Sequence, residues 1–141
     1  MKSFTAKSHV PGRSYNQPHL FILSKGNNAG KPLESETANC FVLTFDNTED
    51  RDRIYWLCYG LWQDKVFAYH LHGSVIPFIR LYEFRKIVMG QVAFHENRME
   101  AFDQIVQHLK AVLAKERNLI AQQKTVAQLK AAMVRKMRKG S

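Results

Sequence analysis

The strand-like run His19-Leu20-Phe21-Ile22-Leu23 leads, through Ser24, into Lys25-Gly26-Asn27-Asn28-Ala29-Gly30-Lys31-Pro32. Glycines beside lysines after a strand invite comparison with a phosphate-binding loop. In that loop backbone amides wrap a phosphate and a hydroxyl meets magnesium, which requires G-x-x-x-x-G-K-[ST]. Here Gly26 and Gly30 lie one residue too close, and Pro32 occupies the hydroxyl position. Nucleotide hydrolysis is therefore not indicated. What remains is a strand-to-strand loop with two lysines, two asparagines and glycine backbone freedom. Lys25 and Lys31 can meet phosphates, and Asn27 and Asn28 can reach base edges. The alternative is a plain surface loop.

Other constellations carry less. His70 and His72 alternate, so a strand would put them on one face like a metal pair, but no neighbouring carboxylate or thiol completes a ligand set. Core or surface histidines are the simpler reading. Cys58 falls on the apolar face of a helical pattern, where a nucleophile would be inaccessible, and Cys40 lies in a strand-like run. Both read as buried free thiols of a cytosolic protein. The acids Glu49, Asp50 and Asp52 follow Asn47-Thr48, where helix capping already explains them. No catalytic residue, metal ligand or cofactor is nominated, and a non-enzymatic protein is expected. The aromatics Tyr55, Trp56, Tyr59, Trp62, Phe67, Tyr69, Phe78 and Tyr82 read mostly as core, with one or two available to stack on bases. Arg80, with Arg85 and Lys86, extends the basic surface.

The elements that would position these residues are those of an α+β chain: a small sheet, one or two packed helices and a long C-terminal helix. A length of 141 residues suits one compact part plus that helix. Residues 1–17 are polar, turn at Pro11-Gly12, and read as a loose arm. Residues 18–95 form the compact domain. Within it, His19–Leu23 and Asn39–Phe45 read as strands. A helix opens at Asn47 or Thr48 and buries Ile54, Leu57, Cys58, Leu61 and Trp62. Val66–Leu71 is a third strand candidate, and Val75-Ile76 a strand ending at Pro77. Leu81, Phe84 and Val88 suggest a short helix stopped by Gly90, followed by a brief apolar step at Val92-Ala93-Phe94.

Residues 96–139 form the long helix. No Gly or Pro interrupts Gln91–Lys139, and apolar pairs recur every seven residues: Ile105/Val106, Val112/Leu113, Leu119/Ile120, Val126/Ala127 and Met133/Val134. Seven residues are close to two turns, so the pairs line one face. The flanking row Leu109, Glu116, Gln123 and Lys130 is not the apolar row of a regular coiled-coil seam. We therefore expect the first half to pack on its own domain through Phe102, Ile105 and Leu109, and the second half to reach a partner through Leu119, Ile120, Val126, Met133 and Val134. Charge divides the same way. Of the net +9, residues 1–97 carry +2 and residues 98–141 carry +7, with no acid after Glu116. Lys124, Lys130, Arg135 and Lys136 are thus candidate phosphate contacts. No apolar run is long enough to span a membrane, and the N-terminus lacks the apolar core of a signal peptide. A cytoplasmic location is expected.

Leu20–Leu33, Asn39-Cys40-Phe41-Val42, Tyr55–Trp62 and Gly73–Arg80 together resemble a family of small uncharacterised Bacteroides-type proteins, over about residues 18–90. That resemblance implies a domain of unknown function and brings no activity with it. A second, architectural resemblance is to half of a type I restriction–modification specificity subunit, in which a target recognition domain ends in a long spacer helix. Gly73–Ile79 and Ala127–Met137 are the similar segments. The chain departs from it in a shorter domain and in lacking the proline-rich turn before the spacer. The resemblance implies DNA as a partner and helix pairing. The combined expectation is a DNA-associated binding protein that dimerises through its C-terminal helix. The alternative is a protein–protein adaptor whose basic helix docks on a partner.

Overall fold

The computed structural model describes residues 4–140. The chain divides into two units, Met1–Met99 and Glu100–Ser141. The first is α+β. Its sheet contains β1 (Thr5–Ser8), β2 (His19–Leu23), β3 (Pro32–Leu33) and β4 (Cys40–Thr44). The strand order is β1-β4-β2-β3, and every pairing is antiparallel. The central strands β2 and β4 read as nearly continuous apolar runs because both of their faces are covered. Cys40 and Val42 share one face with Phe21, against which Tyr15 and Leu33 pack. On the other face the register sets Leu20 beside Leu43 and Ile22 beside Phe41. The Phe41 ring there meets Phe84 of the third helix at 5.9 Å.

The 1–17 segment does more than a loose arm would. Its first three residues lie outside the described ones, but Thr5–Ser8 pair with the edge of β4 and both Phe4 and His9 are buried. An edge strand needs only backbone bonds and one covered side, so the polar Thr5-Ala6-Lys7-Ser8 serves as well as an apolar run.

Helix α1 (Thr48–Gln63) starts at Asn47, whose side chain accepts a 2.8 Å bond from the Asp50 amide, with Glu49 and Asp50 in the first turn. It ends at Asp64, after which Lys65 takes a left-handed conformation at φ 61°. Lys65 thereby fills a place glycine usually takes. The expected strand at 66–71 is instead a single helical turn, α2 (Val66–Tyr69). Only Phe67 of that turn is buried, so the alternating burial of a strand is absent. Val75-Ile76 is likewise no strand. It is the exposed tip of a loop closed by reciprocal His72–Phe78 backbone bonds of 2.8 and 2.9 Å. Helix α3 (Leu81–His95) runs through Gly90 and absorbs the apolar step expected after it. Phe84, Val88 and Val92 recur every four residues on its buried face, and that burial outweighs the roughly 1 kcal/mol that an interior glycine costs.

The second unit holds α4 (Met99–Lys139), an unbroken helix of 41 residues. Its buried residues are Phe102 and Val106, Leu109 is half-buried, and Ile105, expected to be covered, is exposed. Among the described residues no helix is long and apolar enough to cross a membrane.

Phe67 holds the compact unit together. Fully buried, it stacks on Phe84 at 5.3 Å and lies against the backbone of Gly30. A Cβ at Gly30 would come within 2.3 Å of the Phe67 ring, and Gly30 already has φ +98°. Gly30→Ala is expected to destabilise by about 2–4 kcal/mol, from overpacking added to the backbone penalty. Gly26→Ala, where φ is similar but nothing lies within 4 Å, should cost about 1–2 kcal/mol. Urea unfolding of the two variants checks this, and equal losses would remove the Phe67 contact as the cause.

Candidate nucleic-acid interface

The glycine–asparagine loop joins β2 to β3 and is pinned by several backbone hydrogen bonds. Leu23 and Lys31 close its base, with Leu23 N–H donating to Lys31 O at 2.9 Å and Gly30 N–H to Leu23 O at 2.7 Å. Inside it, Ala29 N–H donates to Gly26 O and Lys31 N–H to Asn28 O. Gly26 N–H reaches Pro77 O at 2.7 Å, and Ile79 N–H reaches Ser24 O at 3.1 Å. The loop is therefore tied to the segment before α3, which places Arg80 directly after the residue bonded to Ser24. Gly26 and Gly30 both take positive φ, which permits these tight closures. Ala29 points inward, while Asn27 and Asn28 stand exposed at the tip.

Trp62, near the end of α1, meets this loop. Its Nε1–H donates to Asn28 Oδ1 at 3.3 Å, and the Lys31 ammonium lies 4.8 Å from its ring centroid. Beside them is a cleft of about 510 Å³ lined by Asn27, Asn28, Trp62, Gln63, Lys65 and Leu71, among others. Trp62 also ends a row of half-buried rings on α1. Tyr55, Trp56, Tyr59 and Trp62 follow one another at centroid spacings of 5.2, 5.5 and 5.7 Å. Burial, followed by the charge of Glu34, raises the Tyr55 phenol above its ordinary pKa, so it stays neutral. This row widens the covered face of α1, as expected, yet leaves ring surface open to solvent.

The fold thus gathers Lys25, Asn27, Asn28, Lys31 and Arg80 around one loop. Amide groups, cations and aromatic faces are the groups that meet base edges, phosphates and unstacked bases respectively. Lys124, Lys130, Arg135 and Lys136 belong to α4 and are all exposed. By helical spacing Arg135 and Lys139 fall opposite the apolar stripe, Lys124 and Lys136 lie to either side of it, and Lys130 sits within it. Leu119, Ile120, Val126, Met133 and Val134 lie along that stripe and are exposed by 53–64%.

The other sequence candidates are accounted for locally. His70 caps the end of α2 and is exposed, whereas His72 Nε2 bonds both oxygens of Glu83 at 2.8 and 3.0 Å. The two histidines share no strand face, because there is no strand. No group of three or more His, Cys, Asp or Glu among the described residues could hold a metal. Cys40 and Cys58 are free and buried, and burial pushes the Cys58 thiol far above its ordinary range, which removes its nucleophilic form.

One cluster gave no sequence signal. His9, whose side chain is fully enclosed, bonds the Tyr15 hydroxyl through Nδ1 at 2.9 Å and the Glu36 carboxylate through Nε2. Gly12 N–H also donates to Glu36 at 3.3 Å. An ionised Glu36 only accepts, so Nε2 carries the proton. The cluster fastens the segment after β1 to the loop before β4. Its members are 27 residues apart at the widest, beyond any local pattern.

The family model described as a family of unknown function (DUF6943) matches residues 6–136. The chain belongs to that family. No curated protein and no solved structure matches it.

The two His–Glu pairs set an acid limit. Hydrogen bonding to His9, then to the Gly12 amide, lowers the pKa of Glu36 below its ordinary 4.5, and the His72 bond does the same for Glu83. A depressed folded pKa gives stability that is present above the unfolded value and lost as pH falls through the folded one. The urea midpoint of the native chain is therefore expected to drop as pH falls below about 4.5, and Glu36→Gln and Glu83→Gln should each make that drop shallower. An unchanged pH slope in both variants would remove these pairs as its source.

Proposed function

We propose that the protein is a non-enzymatic, DNA-associated binding protein that dimerises through the second half of α4. One observation carries this reading: α4 keeps an apolar stripe exposed along a segment that holds cations and no acids. In proteins most helical stability comes from packing an amphipathic face, and an exposed apolar stripe favours association. Burying the stripe in a second copy leaves Arg135 and Lys139 on the far side of the helix and Lys124 and Lys136 along its flanks. The glycine–asparagine loop supplies a second polar and cationic surface, with Lys25, Lys31 and Arg80 toward phosphates and Asn27 and Asn28 toward bases. Its arrangement supports a target-recognition-like role.

Binding to a DNA fragment, measured by anisotropy, is expected to weaken steeply between about 50 and 200 mM salt, because phosphate contacts release counterions. Replacing Lys124, Arg135 and Lys136 together by Ala should shallow the slope of log K against log salt by about 3, at roughly 0.9 for each phosphate no longer neutralised. No binding at low salt, or salt-independent binding, would sink the proposal. Deleting residues 119–141 should abolish self-association in sedimentation velocity while leaving the compact unit's urea transition in place.

A second reading, a protein–protein adaptor whose basic helix docks on a partner, draws on a different observation. The loop tip Val75-Ile76 and the side chains of Tyr69 and Tyr82 are exposed apolar surface on the compact unit. Recovery of a stoichiometric protein partner after nuclease treatment, with no DNA affinity in the purified chain, would favour it.

A further inference from the structure

We infer that the cleft beside Trp62 receives an unpaired nucleobase, so that DNA meeting the compact unit is single-stranded at the loop. This rests on the proposed DNA-associated function and narrows its ligand. The cleft holds about 510 Å³, within the roughly 300–1,000 Å³ of small-ligand sites. Its lining supplies three kinds of group. Asn27, Asn28 and Gln63 bring carboxamides, each with a donor and an acceptor, the two functions that base edges present. Trp62, Ala68 and Leu71 bring apolar surface against which a planar ring can lie. Lys65 adds a cation, and the Lys31 ammonium stands 4.8 Å from the Trp62 ring centroid. Among the described residues no carboxylate lines the cleft.

The shape of the site favours a strand over a duplex. Reading a duplex needs an element that enters a groove, such as a helix or a two-stranded ribbon. The β2–β3 loop does not stand free as such a ribbon. Asn28 is held by Trp62, while Gly26 and Ser24 are bonded to Pro77 and Ile79. The asparagines therefore border a recess, and a base reaches a recess only after leaving its stack. A free nucleotide fits less well. Phosphate cradles are built from backbone amides, whereas those of Gly26, Ala29, Gly30 and Lys31 all donate within the protein. Side-chain cations are left to meet phosphate, as in sites that track the backbone of a single strand. The ring row on α1 locates the strand further. Its Tyr55 end feels the charge of Glu34, whereas its Trp62 end carries Lys31. Phosphates attached to the bound base belong at the Trp62 end.

Anisotropy titrations of the full chain with a labelled DNA single strand, its duplex and an abasic strand of equal length test this. The abasic strand keeps the phosphates and removes the bases. The single strand is expected to bind at least about 5-fold tighter than the other two, the lower end of what stacking one base contributes. Trp62→Ala should weaken single-strand binding by roughly 5- to 150-fold and leave abasic binding unchanged. Because Trp62 also braces the loop, Ala68→Leu serves as a second variant. Ala68 is exposed, so the larger side chain narrows the cleft without removing a buried contact. It should weaken single-strand binding by about 5-fold or more with an unchanged urea midpoint. Duplex or abasic binding as tight as that of the single strand would overturn the inference and leave the DNA-associated function in place. Full single-strand affinity in Ala68→Leu would overturn it as well. Tighter binding of an RNA strand of the same sequence would overturn DNA as the source of the base. A chain that binds none of these at low salt would instead remove the proposed function, and the base site with it.

Discussion

The compact unit depends on one ring lying where a side chain would otherwise be. Phe67 occupies the space that a Cβ of Gly30 would fill, and from there it stacks on Phe84, which in turn meets Phe41 of the central strand. These residues come from distant parts of the chain, yet the packing runs unbroken from loop to sheet. A fully buried phenylalanine contributes about 1.5–3 kcal/mol through its own transfer from water. Here that burial also sets the level of the loop relative to α1, so that Asn28 and Lys31 meet Trp62. The polar surface of the loop is a by-product of apolar packing beneath it.

The second unit follows the opposite logic. Its helix leaves apolar side chains in water and gathers cations along the same segment, and neither feature helps a solitary helix. Hydrophobic association and charge repulsion then act on the same few turns. Their balance makes the state of the helix sensitive to whatever neutralises the cations, whether phosphate, salt or an acidic neighbour. Under the proposed reading, a short-range seam and a longer-range field on one element would couple self-association to ligand binding without any moving part.

Local signals carried much of this architecture. β2 and β4 were legible because burial on both faces demands uninterrupted β-formers. The start of α1 was legible from Asn47, and the length of α4 from the seven-residue spacing. The departures share a cause. Val66–Leu71 has a strand's composition, but Lys65 in a left-handed conformation turns the chain into a helical turn with one buried residue. Gly90 resembles a stop, yet Val88 and Val92 on either side are both buried and carry the helix past it. β1 has no apolar signature because an edge strand does not need one. At the loop, the glycines and lysines marked the place. The bond from Trp62 to Asn28 spans 34 residues and is set by tertiary packing alone. The enclosed His9 was equally hidden, since its partners Tyr15 and Glu36 come from separate loops.

The sheet order also has a consequence in time. Among the described strands β4 alone is paired on both sides with a full-length neighbour, yet it is the last of the four to be synthesised. Until Thr44 has left the ribosome, β1 has no edge to join and β2 has only the two-residue β3 beside it. The N-terminal segment therefore emerges without a stable sheet and assembles when its common partner arrives. Pairing strands this far apart in sequence pays its loop-closure entropy in that one step. The nascent N-terminus is then a waiting strand, and its polar composition keeps it in solution until β4 appears.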